Sequence, residues 1–155
     1  MIRNSLIALV VWIAIPLAAG MFGSRFAPGE WYESLEKPPW NPPGWVFGPV
    51  WTALYITMGV AAWIVWRDAA GARRYLPLGL FVFQVILNGL WSWIFFGLER
   101  PGAAFGEILV LLISIFLTLV AFWRVRPAAG VLLVPYLLWV AFASILNYQL
   151  WRMNS

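Results

Sequence analysis

Residues 75–98 read YLPLGLFVFQVILNGLWSWIFFGL, from Tyr75 to Leu98, with no charged side chain. About 20 mostly apolar residues suffice to cross the hydrocarbon of a bilayer as a helix. The run is apolar all round rather than alternating, which is wrong for a strand of a lipid-embedded barrel. In lipid every backbone group has to be bonded within its own segment, which leaves a helix. Working outward, four more runs have the same character: about Ser5–Phe26, Trp45–Trp66, Ala103–Trp123 and Ala128–Trp151. The expectation is an all-α membrane protein. Five transmembrane helices form one bundle over residues 1–155, with a structured loop over 27–44 between the first and second.

Composition agrees. Of 155 residues, 63% are hydrophobic and 10% charged, against roughly 25% charged in soluble domains. A small soluble chain exposes too much of its area to hide that much apolar surface. The net charge of +4 does not point to nucleic acid, because the basic residues stand singly or in pairs at the ends of apolar runs and form no patch. They read instead as topology signals for a chain whose partner is the lipid bilayer. The connections Asp68–Arg74, Glu99–Gly102 and Arg126-Pro127 are short, so neighbouring helices run antiparallel. One side then carries Arg3, Arg67, Arg73, Arg74, Arg124 and Arg126, and the other Arg25, Lys37, Arg100 and Arg152. The excess places the N-terminus in the cytoplasm of a bacterial cell membrane and turns the 27–44 loop outward. Arg3 and the run to Leu17-Ala18-Ala19 resemble a signal peptide. The apolar run continues through Met21 and Phe22, however, so the segment is expected to be retained.

The chain has no cysteine and no histidine. That excludes disulfides, zinc, iron–sulfur and histidine-ligated haem sites. It also excludes Ser-His-Asp and Cys-His nucleophile sets. No metal site and no required cofactor are expected.

The loop is the strongest departure from a plain apolar bundle. Trp31–Trp45 reads WYESLEKPPWNPPGW. Glu30, Glu33 and Glu36 with Lys37 fit a short helical turn. Pro38, Pro39, Pro42 and Pro43 then hold the chain extended, since proline fixes its own φ and biases its predecessor. An interfacial anchor explains Trp31 and Trp45, because indole rings favour the headgroup level. It does not explain two Pro-Pro pairs, which fit a stiff lid better.

Polar residues inside membrane spans are costly and mark function or helix pairing. Gln84, Asn88 and Trp91 follow i, i+4, i+7 spacing on one face. Trp51 and Tyr55 lie i, i+4 on the second helix, and Tyr136, Trp139, Ala143 and Asn147 share roughly one face of the fifth. Converging, these faces would form an indole-walled pocket with a few amide groups, the usual form of a small-molecule site. Interhelical hydrogen bonding explains Gln84 equally well. For Asn88, beside Gly89 and Trp91, the pocket is the preferred reading. Glu107 is expected to reach the interface near the Arg100 end of its helix. Small residues such as Ala14, Ala18, Gly79 and Ala103 are weak signs of close helix packing or dimerisation. Leu146, Tyr148 and Arg152 fit the cholesterol-contact pattern, a weak motif that an aromatic helix end also satisfies.

Taken in order, Trp31-Tyr32, Lys37-Pro38-Pro39-Trp40-Asn41-Pro42-Pro43, Asn88 with Trp91 before Phe95-Phe96-Gly97, Pro135–Trp139 and Leu146-Asn147-Tyr148 before Trp151-Arg152 resemble the translocator protein family. That family is also called the tryptophan-rich sensory protein or peripheral-type benzodiazepine receptor family (TspO/MBR). The resemblance covers the whole chain. It implies a five-helix bundle, often a homodimer, that binds porphyrins such as protoporphyrin IX, benzodiazepine-site ligands and, in eukaryotic relatives, cholesterol. By position, it implies that Trp51 and Asn88 hydrogen-bond a ligand carbonyl and that Tyr32, Pro42, Tyr55, Trp91, Trp139 and Ala143 line the cavity, with Trp31 at the loop end. It implies a sensor or transporter of a tetrapyrrole or sterol-like small molecule. The alternative is light-dependent porphyrin degradation by pocket tryptophans. No acid–base pair or nucleophile set is present, so catalytic residues are not assigned, and any chemistry would come from the excited ligand. Without His or Cys, haem iron would have to take Met or Tyr as axial ligand. A metal-free porphyrin stacked on Trp rings is therefore the more natural guest.

Overall fold

The computed structural model describes residues 2–26 and 28–155. It is an integral multi-pass membrane bundle with no strand among the described residues. Among the described residues, five segments are long and apolar enough to cross a bilayer: Arg3–Ser24, Gly44–Asp68, Gly71–Gly97, Pro101–Val125 and Pro127–Met153. The first is helix α1 (Ile2–Ser24). The short helix α2 (Glu30–Ser34) lies in the loop, and α3 (Gly44–Asp68) is the second span. A 3₁₀ turn at Gly71–Arg74 leads into α4 (Tyr75–Ser92), which ends in a π turn at Trp93–Gly97. Then come α5 (Pro101–Val125), α6 (Pro127–Leu132) and α7 (Val134–Met153).

Proline places the starts of the last three helices. Pro101 and Pro127 open α5 and α6, where the missing N–H is no loss. Pro135 in the first turn of α7 lacks the N–H a continuing helix would need, and the fifth span is broken there into α6 and α7. The α4–α5 turn is tight enough to hold Glu99 at φ 56°, a left-handed conformation that costs a non-glycine residue roughly 1 kcal/mol.

The helices close into a ring in which α1 lies against α3 and α4, α4 against α5, α5 against α6 and α7, and α6 against α3. Gly59 sets the α1–α3 approach, since a Cβ there would collide with the Ile13 backbone. The small residues named from sequence behave differently: an added Cβ at Gly79 meets nothing within 4 Å, and Ala103 is exposed. At the end remote from the loop, Asp68 accepts from Arg67 at 2.7 Å and lies 3.5 Å from Arg126, joining the α3–α4 and α5–α6 connections.

The loop is ordered by its own chemistry. Glu30 and Glu33 occupy the first turn of α2, where negative charge complements the helix dipole. Lys37 Nζ donates to the Glu33 and Leu35 carbonyls at 3.3 and 3.2 Å and lies 4.7 Å from the Tyr32 ring centre. Asn154, past the end of α7, clasps the loop: Glu36 N–H donates to its Oδ1 at 2.8 Å, and its Nδ2 donates to Glu36 O at 2.9 Å.

Candidate ligand-binding site

A buried polar chain runs across the bundle between α3, α4 and α7. Tyr55 Oη donates to Asn88 Oδ1 at 3.0 Å. Asn88 Nδ2 donates to Tyr136 Oη at 3.0 Å, and Tyr136 donates onward to Gln84 Oε1 at 2.6 Å. The chain ends in a weak contact from Gln84 Nε2 to Met58 Sδ at 3.9 Å. An unpaired polar group is most costly where water is absent, which explains why the α4 polar face turns to the centre and not to lipid.

Aromatic rings wall this chain toward the loop. Trp51 stacks on Tyr55 at 5.5 Å between centroids and meets Tyr136 and Trp139 edge-on at 6.3 and 6.5 Å. Phe47 approaches Trp139 at 6.0 Å, and Trp139 approaches Phe142 at 5.6 Å. From the loop, Trp40 covers Phe142 at 5.9 Å. Trp139 Nε1 is buried among these groups with no hydrogen-bond partner.

Trp51, Tyr55, Asn88 and Trp139, named from the sequence, thus come together, and Ala143 packs half-buried against the bundle core. Trp31 and Tyr32 do not join that cage. They form a second aromatic cluster on Phe95, at 5.7 and 6.4 Å, to which Trp91 stacks at 5.0 Å. Trp91 packs against both clusters. Its Nε1 is already committed, donating to Asn147 Oδ1 at 2.9 Å, while Asn147 Nδ2 donates to Pro101 O at 2.8 Å. Pro42 is half-buried in the loop above. Trp45 is 77% exposed, as an interfacial anchor would be, whereas Trp31 turns inward.

The pattern Leu146, Tyr148, Arg152 does not present one face. Leu146 is buried, while Tyr148 is exposed, with Phe105 5.2 Å away, and Arg152 is exposed. Glu107 does not reach solvent as expected, because both carboxylate oxygens are buried without a partner. The sequence reading sets Tyr136 on the pocket-facing side of the fifth span without giving it a ligand contact, and leaves Gln84 open between the pocket and helix pairing. Their signal was present: Gln84 lies one turn before Asn88, and Tyr136 one turn before Trp139. Phe95 was hidden by the π turn, whose extra residue re-phases the helix end and turns that ring inward.

The profile of the TspO/MBR family matches residues 12–152. The chain is similar to Translocator protein of Homo sapiens, 45% identical over 137 residues, covering 85% of this chain and 81% of the human protein. It is similar to Tryptophan-rich protein TspO of Chlorobaculum tepidum, 43% identical over 157 aligned positions, covering 98% and 99% of the two chains. It is 39% identical over 132 residues to Tryptophan-rich sensory protein of Cereibacter sphaeroides, covering 85% of this chain and 82% of that protein.

Proposed function

The chain belongs to the TspO/MBR family, and from that premise we propose that it binds flat tetrapyrroles, protoporphyrin IX foremost, and benzodiazepine-site ligands, acting as a membrane sensor or transporter. The names of its relatives, translocator and sensory protein, belong to those proteins and lend the proposal its two modes of action.

One observation carries the reading: Trp139 Nε1, a donor with no acceptor, lies inside a cage of aromatic rings. A buried unpaired N–H costs about 1–3 kcal/mol, and a ligand carbonyl or carboxylate would satisfy it. Trp51 and Trp139 supply stacking faces for a macrocycle. Asn88 accepts from Tyr55 at Oδ1 and donates one Nδ2 hydrogen to Tyr136, which leaves its second Nδ2 hydrogen for a ligand carbonyl. The cage rings are in mutual contact, so a macrocycle is admitted when the Trp40 loop swings aside and Trp51 and Trp139 part.

The porphyrin is a guest and not a required cofactor. A homodimer, and an N-terminus in the cytoplasm, belong to the same proposal. Titrating protoporphyrin IX while following tryptophan fluorescence tests it. Saturable quenching that weakens in Trp51→Ala and Asn88→Ala is expected. Non-saturable quenching, or affinity untouched by both changes, overturns it. Illuminating the complex separates binding from photo-oxidation: a new absorbing product, absent with free porphyrin and lost in Trp51→Phe or Trp139→Phe, would mark a catalyst.

A further inference from the structure

The end of the bundle remote from the loop carries a second, unrelated groove. It holds about 820 Å³ between α1, the end of α3 and the start of α4. Trp12, Leu78 and Val82 give it an apolar wall, and Arg74 and Tyr75 stand at its mouth. Nothing fills it at Gly79, where an added Cβ meets no atom within 4 Å. The neighbouring Tyr75 and Leu76 are 72% and 70% exposed, so the groove opens onto the lipid-facing surface at the first turn of α4.

Arg74 is the unusual member. Its guanidinium lies 5.8 Å from the Trp66 ring centre, and its Nε is buried without an acceptor. The carboxylate nearest in sequence, Asp68, is taken by Arg67 and Arg126, and among the described residues Arg74 enters no ion pair. An arginine held against an indole, with an unmet Nε–H in its planar fork, fits the oxygens of a phosphate. The apolar wall running from it along α4 fits a hydrocarbon chain and not a free anion. Basic pockets between helices at a membrane boundary are suited to acidic lipid headgroups.

We propose that this groove binds one acidic glycerophospholipid, its phosphate on Arg74 and an acyl chain along Trp12, Leu78 and Val82. The site is separate from the aromatic cage and does not depend on what the cage binds.

Native mass spectrometry of the full chain, released from micelles holding equal phosphatidylglycerol and phosphatidylcholine, tests this. The wild type retains phosphatidylglycerol several-fold more often. Arg74→Gln brings the ratio to parity. Arg73→Gln, which alters the exposed neighbour, leaves it unchanged. Gly79→Leu, which fills open space, lowers retention of both lipids while the melting temperature stays near wild type. If Arg74→Gln does not fold, Gly79→Leu carries the test alone. Equal retention of the two lipids by the wild type overturns the proposal, as does an equal effect of Arg73→Gln and Arg74→Gln. Retention undiminished by Gly79→Leu also overturns it. Displacement of the lipid by excess inorganic phosphate would reveal an anion site rather than a lipid site, and overturns it too.

Discussion

Tyr136 Oη donates a 2.6 Å hydrogen bond to Gln84 Oε1, with both side chains sealed from solvent. The two residues lie on different spans and fasten α7 to α4 at the depth of the aromatic cage. The same hydroxyl accepts from Asn88, so a single oxygen holds two amides in place.

Tyr136→Phe should therefore be costly although it removes one atom. It leaves Gln84 Oε1 and Asn88 Nδ2 buried without this partner, at about 1–3 kcal/mol. Thermal unfolding in detergent is expected to show a clearly lowered midpoint. A midpoint within error of wild type would mean that the chain contributes nothing to stability.

Trp139→Phe keeps an aromatic ring in the cage but removes the unpartnered N–H together with part of the indole that packs on Trp51, Phe47 and Phe142. Relief of the buried unpaired donor and the cost of the small cavity oppose each other, so stability should change by no more than about 1 kcal/mol. Protoporphyrin affinity should fall about tenfold, the worth of one hydrogen bond near 1.4 kcal/mol. Equal affinity by fluorescence titration would remove Trp139 Nε1 from the site.

Gly59→Leu should separate α1 from α3, because even a Cβ collides with the Ile13 backbone. Overpacking of this kind costs about 1–3 kcal/mol or more. Gly79→Ala, on the open face, should be neutral within about 0.5 kcal/mol. The contrast between the two melting curves is the measurement.

Asn154→Ala should free the loop. It deletes both bonds to the Glu36 backbone and touches no ring of the cage. Amide exchange across residues 30–41 should accelerate, and bound porphyrin should dissociate faster. Exchange confined to the last turn of α7 would show that the clasp does not restrain the loop.

Glu107→Leu should be tolerated or stabilising by about 1–3 kcal/mol, because both carboxylate oxygens are buried without partners and a buried polar group without a hydrogen bond carries an uncompensated desolvation cost of that order. A destabilised Glu107→Leu would mean that the acid has a partner in the bilayer-embedded protein.

The helices and the stiff loop were legible from run length, charge placement and proline. These are local properties, and the surrounding lipid enforces them residue by residue. Part of the cage was legible too, because Trp51 with Tyr55 and Gln84 with Asn88 each repeat at one helical turn. Trp31 was not, since an interfacial anchor and a ring packed on Phe95 have the same sequence appearance. Glu107 misled for a similar reason: closeness to a helix end in sequence does not reveal which way the side chain turns.

The sequence by itself determined that this chain crosses a membrane five times, because hydrocarbon offers backbone groups no alternative to a helix of sufficient length. It also determined which residue types would have to hide from lipid. Only the tertiary structure decided their partners. Tyr136 meets Gln84 across 52 residues and Trp91 meets Asn147 across 56, and such pairs depend on the order of helices around the ring. Short connections make neighbours antiparallel but do not say which non-neighbours touch. That was decided by the close approach of α1 and α3 at Gly59 and by α6 reaching across to α3, through packing between side chains far apart in the chain.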